Sequence, residues 1–156
     1  MSLRTVMTFA VGLSLLTGCT PKFKVAVPEG WQVAKELNND EVQAKLLVNE
    51  QEQVAIKVFC VAAEKAPVAE VMQSMIDGVN EVQGQIVEQN LADDKSSSRL
   101  VFTATVDGVD TAGRQVVKLS GYKHAKTLII FGFWPAEKDA VAAKAFEAIA
   151  ASADFK

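Results

Sequence analysis

Most of the chain alternates hydrophobic and polar residues with the period of two that is typical of half-buried β-strands. The predicted strands span residues 23–27, 42–48, 54–62, 86–91, 100–106, 115–122 and 127–134. The last of them, TLIIFGFW, is hydrophobic on both faces, which favours a central position in a sheet. Short polar turns separate the strands from residue 86 onward, so these strands are predicted to form an antiparallel meander.

Two segments have a helical period instead. The first is predicted to begin at Pro67 and to end at Gly84, with a hydrophobic stripe of Val68, Met72, Met75, Ile76, Val79 and Val82. The second is predicted from Ala136 to about Ala153, with an apolar face of Val141, Ala145, Phe146, Ile149 and Ala153. The predicted class is α+β, a mainly antiparallel sheet of about six to seven strands with two amphipathic helices.

Composition narrows the class of protein. The length of 156 residues favours one domain, and 49% hydrophobic with 22% charged residues suits a folded core. The formal net charge is −3, from 16 Lys and Arg against 19 Asp and Glu. We therefore expect no nucleic-acid partner, because phosphate binding needs a basic surface.

The N-terminal segment has the layout of a secretory signal peptide. Arg4 precedes the apolar run Val6 to Leu16, and Thr17-Gly18 follows it. The run is too short to cross a bilayer as a helix, which needs about 20 residues. The alternative, a buried N-terminal helix, is disfavoured because the run has no amphipathic period.

Leu16-Thr17-Gly18-Cys19 resembles the lipobox of bacterial lipoproteins. The resemblance implies cleavage between Gly18 and Cys19 and acylation of Cys19, with the lipid holding the protein on a membrane of the cell envelope. Two or three acyl chains are enough for stable anchoring. The predicted division is 1–18 signal peptide, 19–22 lipidated Cys and tether, and 23–156 a single domain. Residue 20 is Thr rather than Asp, which favours the periplasmic face of the outer membrane over the inner membrane.

Candidate catalytic residues are few. The single His, His124, lies in a polar turn without a nucleophile or an orienting carboxylate nearby in the sequence. Cys60 alternates with apolar residues of its strand, which predicts a buried, unreactive thiol. Asp107 to Asp110 lacks the ligand pattern of a calcium loop and is predicted to be a hairpin tip. We expect no catalytic set, no metal site and no cofactor.

The order of elements resembles the PsbP-like sandwich and, within it, the DcrB-like lipoproteins of bacterial envelopes. Its short patterns here are Pro28-Glu29-Gly30-Trp31 and Phe133-Trp134-Pro135. The resemblance implies a non-enzymatic binding or assembly factor and supplies no catalytic residues.

Two classes of function follow. The first is a lipid-anchored envelope protein, without enzymatic activity, that binds or helps to assemble an envelope protein partner. The second is a small-ligand binder or enzyme with an aromatic-lined pocket. Trp31, Tyr122 and Trp134 are the candidate residues for a ligand or partner surface, because aromatic residues at strand ends can line a pocket. Their other interpretation is that they cap the core.

Overall fold

The computed structural model describes residues 21–121 and 124–156. The predicted signal peptide, the cleavage site at Gly18 and Cys19, and Tyr122 lie outside these residues. The strands are β1 Phe23–Lys24, β2 Gln32–Asn38, β3 Val42–Asn49, β4 Val54–Ala62, β5 Gln85–Leu91, β6 Ser97–Val106, β7 Val109–Leu119, β8 Lys126–Pro135 and β9 Asp154–Phe155. The helices are α1 Val68–Glu81, a 3-10 turn Ala136–Lys138 and α2 Asp139–Ser152. No helix among the described residues is long and apolar enough to cross a membrane.

The strands form one large sheet and one small one. The large sheet has seven strands in the order β2-β3-β4-β8-β7-β6-β5, and every neighbouring pair is antiparallel. The small sheet pairs β1 with β9. The predicted α+β class and the meander from β5 to β8 are confirmed. The doubly hydrophobic β8 lies in the middle of the sheet, as its sequence predicts.

The two helices cover opposite sides of the sheet. Helix α1 packs against β5, β6 and β7, and α2 packs against β7 and β8. The alternation of β8 shows the two sides, because Ile129 and Phe131 join the clusters under α1 whereas Leu128 and Ile130 join the cluster under α2. We call these the α1 side and the α2 side of the sheet.

The N-terminal part of the domain differs from its prediction. A strand is predicted over residues 23–27, but only Phe23–Lys24 pairs with another strand. Beyond it, the Ala26 N–H donates to Ser152 Oγ at 3.0 Å and Val25 packs on the α2-side core, so this segment crosses the α2 side instead of extending a sheet. Strand β2 was not predicted, because all of its residues are exposed and no buried face marks it in the sequence.

Helix α2 buries its predicted face except at Val141. It begins at Asp139, after the 3-10 turn, and it buries Ala142, Ala145, Phe146, Ile149 and Ala150. Val141 is 47% exposed, so its assignment to the buried face is wrong. Phe146 and Ile149 are fully buried and fix the rotation of the helix. Val141 precedes Phe146 by five positions, which places it about 140° away around the helix.

Both edge strands of the large sheet carry an irregularity in register. In β2 it lies between Val33 and Lys35, and in β5 between Ile86 and Glu88. Such bulges twist an edge strand and interrupt its row of free backbone groups. Val87, in the β5 bulge, is 64% exposed.

Candidate functional site

The two tryptophans predicted as a ligand or partner surface lie in the core. Trp31 is 9% exposed and Trp134 is 2% exposed, and both belong to the cluster under α2. The Trp134 ring packs tilted against Phe146 at a centroid distance of 6.1 Å, and its Nε1–H donates to Asp139 Oδ1 at 3.0 Å. These side chains therefore serve packing and offer almost no area to a partner. Tyr122 lies outside the described residues.

The two candidate reactive residues, Cys60 and His124, differ in exposure. Cys60 is fully buried, as predicted, and burial raises the pKa of its thiol from 9.0 to about 11. His124 is exposed, in the connection between β7 and β8. Over residues 21–121 and 124–156, no group of three or more His, Cys, Asp or Glu side chains is placed to hold a metal ion.

The most distinctive surface is the α1 side of β2, β3 and β4. We call it the open face, and its side chains are Lys35, Leu37, Ala44, Leu46, Val48, Lys57 and Phe59. Helix α1 packs over the other half of this side, against β5 to β7. On the open face Leu37 is 49% exposed and Leu46 is only half-buried, whereas Leu47, pointing to the α2 side, is fully buried.

The strand register arranges the open face in rows. Lys35 pairs with Leu46, and Leu46 pairs with Lys57, so a leucine stands between two lysines across three strands. The next row pairs Leu37 with Ala44 and Ala44 with Phe59. Phe59 also packs against the cluster under α1, so the apolar surface continues into the helix-covered half. An apolar area of this kind, with a polar border, is typical of protein interaction sites.

The α2 side has a different uncovered part, over β5 and β6, and it is charged. Arg99 donates to both carboxylate oxygens of Glu147, at 2.5 and 3.1 Å, and to Glu88 Oε1 at 3.0 Å. Arg114 donates to Glu147 Oε1 at 2.6 Å. The hydrogen bonds from Arg99, and then those from Arg114, lower the pKa of Glu147. This network joins α2 to β6 and β7, which gives it a structural role.

Sequence reasoning did not single out either surface. Glu147 is distant from Arg99 and Arg114 along the chain, so no local spacing connects the three residues. The open face had one usable signal, the adjacent Leu46-Leu47 in a strand predicted to be half-buried. Two neighbouring leucines point to opposite sides of a strand, so one of them has to lie on the second side.

Comparison with known proteins shows the fold. No protein-family profile and no curated protein sequence matches the chain. Among solved structures, the cyanobacterial PsbP (CyanoP) of Synechocystis sp. PCC 6803 is similar, with a TM-score of 0.54 at 12% identity, over 93% of this chain and 98% of that one. The fold is PsbP-like.

Two other structures share the PsbP-like fold. LpqN, involved in cell envelope biogenesis of Mycobacterium tuberculosis, has a TM-score of 0.60 at 11% identity, over 88% of this chain and 84% of its own. The Ran-binding protein Mog1p of Saccharomyces cerevisiae has a TM-score of 0.54 at 10% identity, over 88% of this chain and 96% of its own. At these identities the similarity concerns the fold alone.

Proposed function

We propose that this protein is a lipid-anchored lipoprotein of a bacterial cell envelope that binds a partner protein and catalyses no reaction. The observation that carries the binding role is the open face, where Leu37 is 49% exposed beside half-buried Leu46. The signal-like segment and the lipobox resemblance at Cys19 support the anchor. The similar fold of LpqN, which is involved in cell envelope biogenesis, supports the setting.

The partner segment that fits the open face best is an amphipathic helix with acidic side chains. The neighbouring half of the same sheet side already holds such a helix, α1, whose stripe of Val71, Met72, Met75 and Val79 is buried. Lys35, which is exposed and pairs with Leu46, favours carboxylates on the helix that would lie beside it. Exposed charge pairs contribute little affinity, roughly 1 kcal/mol or less, but they fix orientation and select partners.

Site-specific photo-cross-linking in living cells tests the open face. A photoreactive residue at Leu46 should give an adduct with an envelope protein, and the cross-linked peptide should be an amphipathic segment with acidic residues. The matched control is Thr103, which is exposed on the α2 side. Adducts from Thr103 alone, or from Leu46 to a second copy of this chain, would contradict the proposal.

Charge reversal tests the partner chemistry. Lys35→Glu should weaken the Leu46 adduct by roughly fivefold, which corresponds to about 1 kcal/mol, and Lys35→Arg should preserve it. Lys35 is exposed, so neither change should alter the melting temperature of the domain. Equal adduct yields from both variants would refute an acidic partner segment.

The anchor is tested by intact mass of detergent-extracted protein. The mass should lack residues 1–18 and include a lipid on Cys19, and Cys19→Ser should leave the precursor uncut. Membrane fractionation tests the outer-membrane preference, because Thr20→Asp should move the protein to the inner membrane. An unmodified chain that retains Met1 would contradict the lipoprotein proposal.

A further inference from the structure

The N-terminal chain meets the sheet at one defined end. A row of paired residues crosses the sheet near this end, and it consists of Asn38, Gln43, Cys60, Leu128, Lys118 and Ser97. The Phe23 N–H donates to Gln43 Oε1 at 2.6 Å, so β1 is fixed beside this row. We call this the tether end, and its connections include residues 39–41, 63–67 and 92–96.

The direction of the N-terminal segment shows at which end of the sheet the described chain begins. From Phe23 the chain runs along the α2 side to Gln32, which pairs with Val48 near the opposite end of the sheet. The described chain therefore begins at the tether end of the sheet. The domain holds the chain as far as Pro21, which is buried, and the Lys156 N–H donates to the Lys22 carbonyl at 3.0 Å.

The chain between the domain and the proposed lipid anchor is very short. Only Thr20 lies between Pro21 and Cys19, which carries the lipid in the proposed function on which this inference rests, so the chain from Pro21 to Cys19 is two residue steps long. Two extended residues span at most about 7 Å. A domain held at this distance cannot turn its opposite end toward the bilayer, because β6 alone, from Ser97 to Val106, is about 30 Å long.

We infer that the tether end of the sheet faces the lipid headgroups and that the strands run away from the bilayer. Lys22 and Lys24 are exposed beside the tether, where cationic side chains favour anionic headgroups. The hairpin between β6 and β7 then lies farthest from the membrane. The open face is then roughly perpendicular to the membrane plane. A partner segment bound to it lies beside the domain at the membrane surface.

Depth-dependent fluorescence quenching tests the orientation. The lipidated protein is placed in vesicles of phosphatidylethanolamine and phosphatidylglycerol that carry a lipid-linked quencher. A fluorophore is attached at Asp93→Cys, in the connection between β5 and β6, or at the matched site Val109→Cys, at the tip of the β6–β7 hairpin. Both positions are exposed. Unsubstituted protein controls for labelling of Cys60, and circular dichroism checks that each variant is folded.

The expected result is quenching that is several-fold stronger at Asp93→Cys than at Val109→Cys. Equal quenching, or stronger quenching at Val109→Cys, in protein that sediments with the vesicles would overturn the orientation and leave the anchor intact. Protein that stays in the supernatant would instead contradict the proposed lipid anchor, and the inferred orientation would be rejected together with it. Sedimentation and quenching are separate readouts, so the two failures are distinguishable.

Discussion

The α1 side of the sheet has two halves that differ in what covers them. Under α1, Leu100 is 0% exposed and Phe102 is 1% exposed. On the open face, Leu46 is half-buried and Leu37 is 49% exposed. The residue types are similar and the strands belong to one sheet. A hydrophobic alternation therefore indicates which side of a strand is apolar, but it does not indicate whether that side is covered.

The geometry of the elements explains the difference. A helix with its side chains is about 10 Å wide, and neighbouring strands are about 4.8 Å apart, so one helix covers about two to three strands. In the part of the chain that the structure describes, the sheet has seven strands and each side has one long helix. Part of each side must remain open unless another segment covers it. On the α2 side the N-terminal segment does so, through Phe23 and Val25, which pack there.

The same substitution in both halves should show the largest contrast. Leu100→Ala removes a fully buried side chain and should lower the free energy of unfolding by about 2–5 kcal/mol. Leu46→Ala should cost about 1 kcal/mol or less, because a half-buried side chain loses less contact and its site can take up solvent. Urea unfolding of both variants measures the difference. Equal losses would mean that the open face is covered in solution.

A close contact in the covered half should give the next largest effect. Gly113 lies under the Phe102 ring, and an added Cβ would overlap the ring atoms. Gly113→Ala should therefore destabilise the protein by about 1–3 kcal/mol, because Phe102 has to move within a packed core. Gly121→Ala is the control, since nothing lies within 4 Å of its Cβ position. Thermal unfolding that is unchanged in both variants would show that the covered half repacks freely.

Low pH should weaken the charged network of Glu147 with Arg99 and Arg114 more than the apolar contacts on the α1 side. The pKa of Glu147 is lowered from its usual 4.5, so its contribution to stability is present above pH 4.5 and is lost as the pH falls below that value. Glu147→Gln should cost about 1 kcal/mol at neutral pH, since solvent reaches the pair. As the pH falls below 4.5, the free energy of unfolding should also decrease less in the variant than in the parent protein. Unfolding curves at several pH values measure this, with exposed Glu137→Gln as control, and parallel pH profiles would contradict it.

Thiol labelling should distinguish the two sides without changing stability. Cys60, in the covered part of the α2 side, should react slowly in the native state, because it is fully buried and the pKa of its thiol is about 11. Leu37→Cys, on the open face, should react rapidly at the same pH. Denaturant should remove the difference, and labelling with a thiol reagent followed by mass spectrometry measures it. Rapid native reaction of Cys60 would show that the sheet opens locally.

The sequence predicts the fold well wherever burial is one-sided or complete. The alternation of Val54, Ile56 and Val58 identified β4, and the doubly apolar β8 was placed correctly in the centre. Prediction failed where exposure removed the signal, as in β2, and at Val141, whose exposure depends on how Phe146 and Ile149 pack against the sheet. These last contacts are tertiary, and periodicity alone does not contain them.

The proposed binding surface was harder to predict than the fold. Aromatic residues at strand ends suggested a surface at Trp31 and Trp134, but large rings also fill cores, and both are buried here. Whether Leu46 lies in the core or on a surface depends on where α1 stops along the sheet. That boundary is set by packing among β5, β6 and β7, far from Leu46 in the sequence.

The irregular register of both edge strands disfavours edge-to-edge pairing between copies of the protein. Proteins anchored in one membrane plane meet repeatedly with their edges side by side, and a sheet with two straight edges would be able to grow from copy to copy. The bulges at Val33–Lys35 and Ile86–Glu88 make both edges poor templates for such growth. If the protein is anchored as proposed, copies that meet on the membrane are therefore expected not to polymerise through their edges, and the faces of the sheet are left for selective contacts.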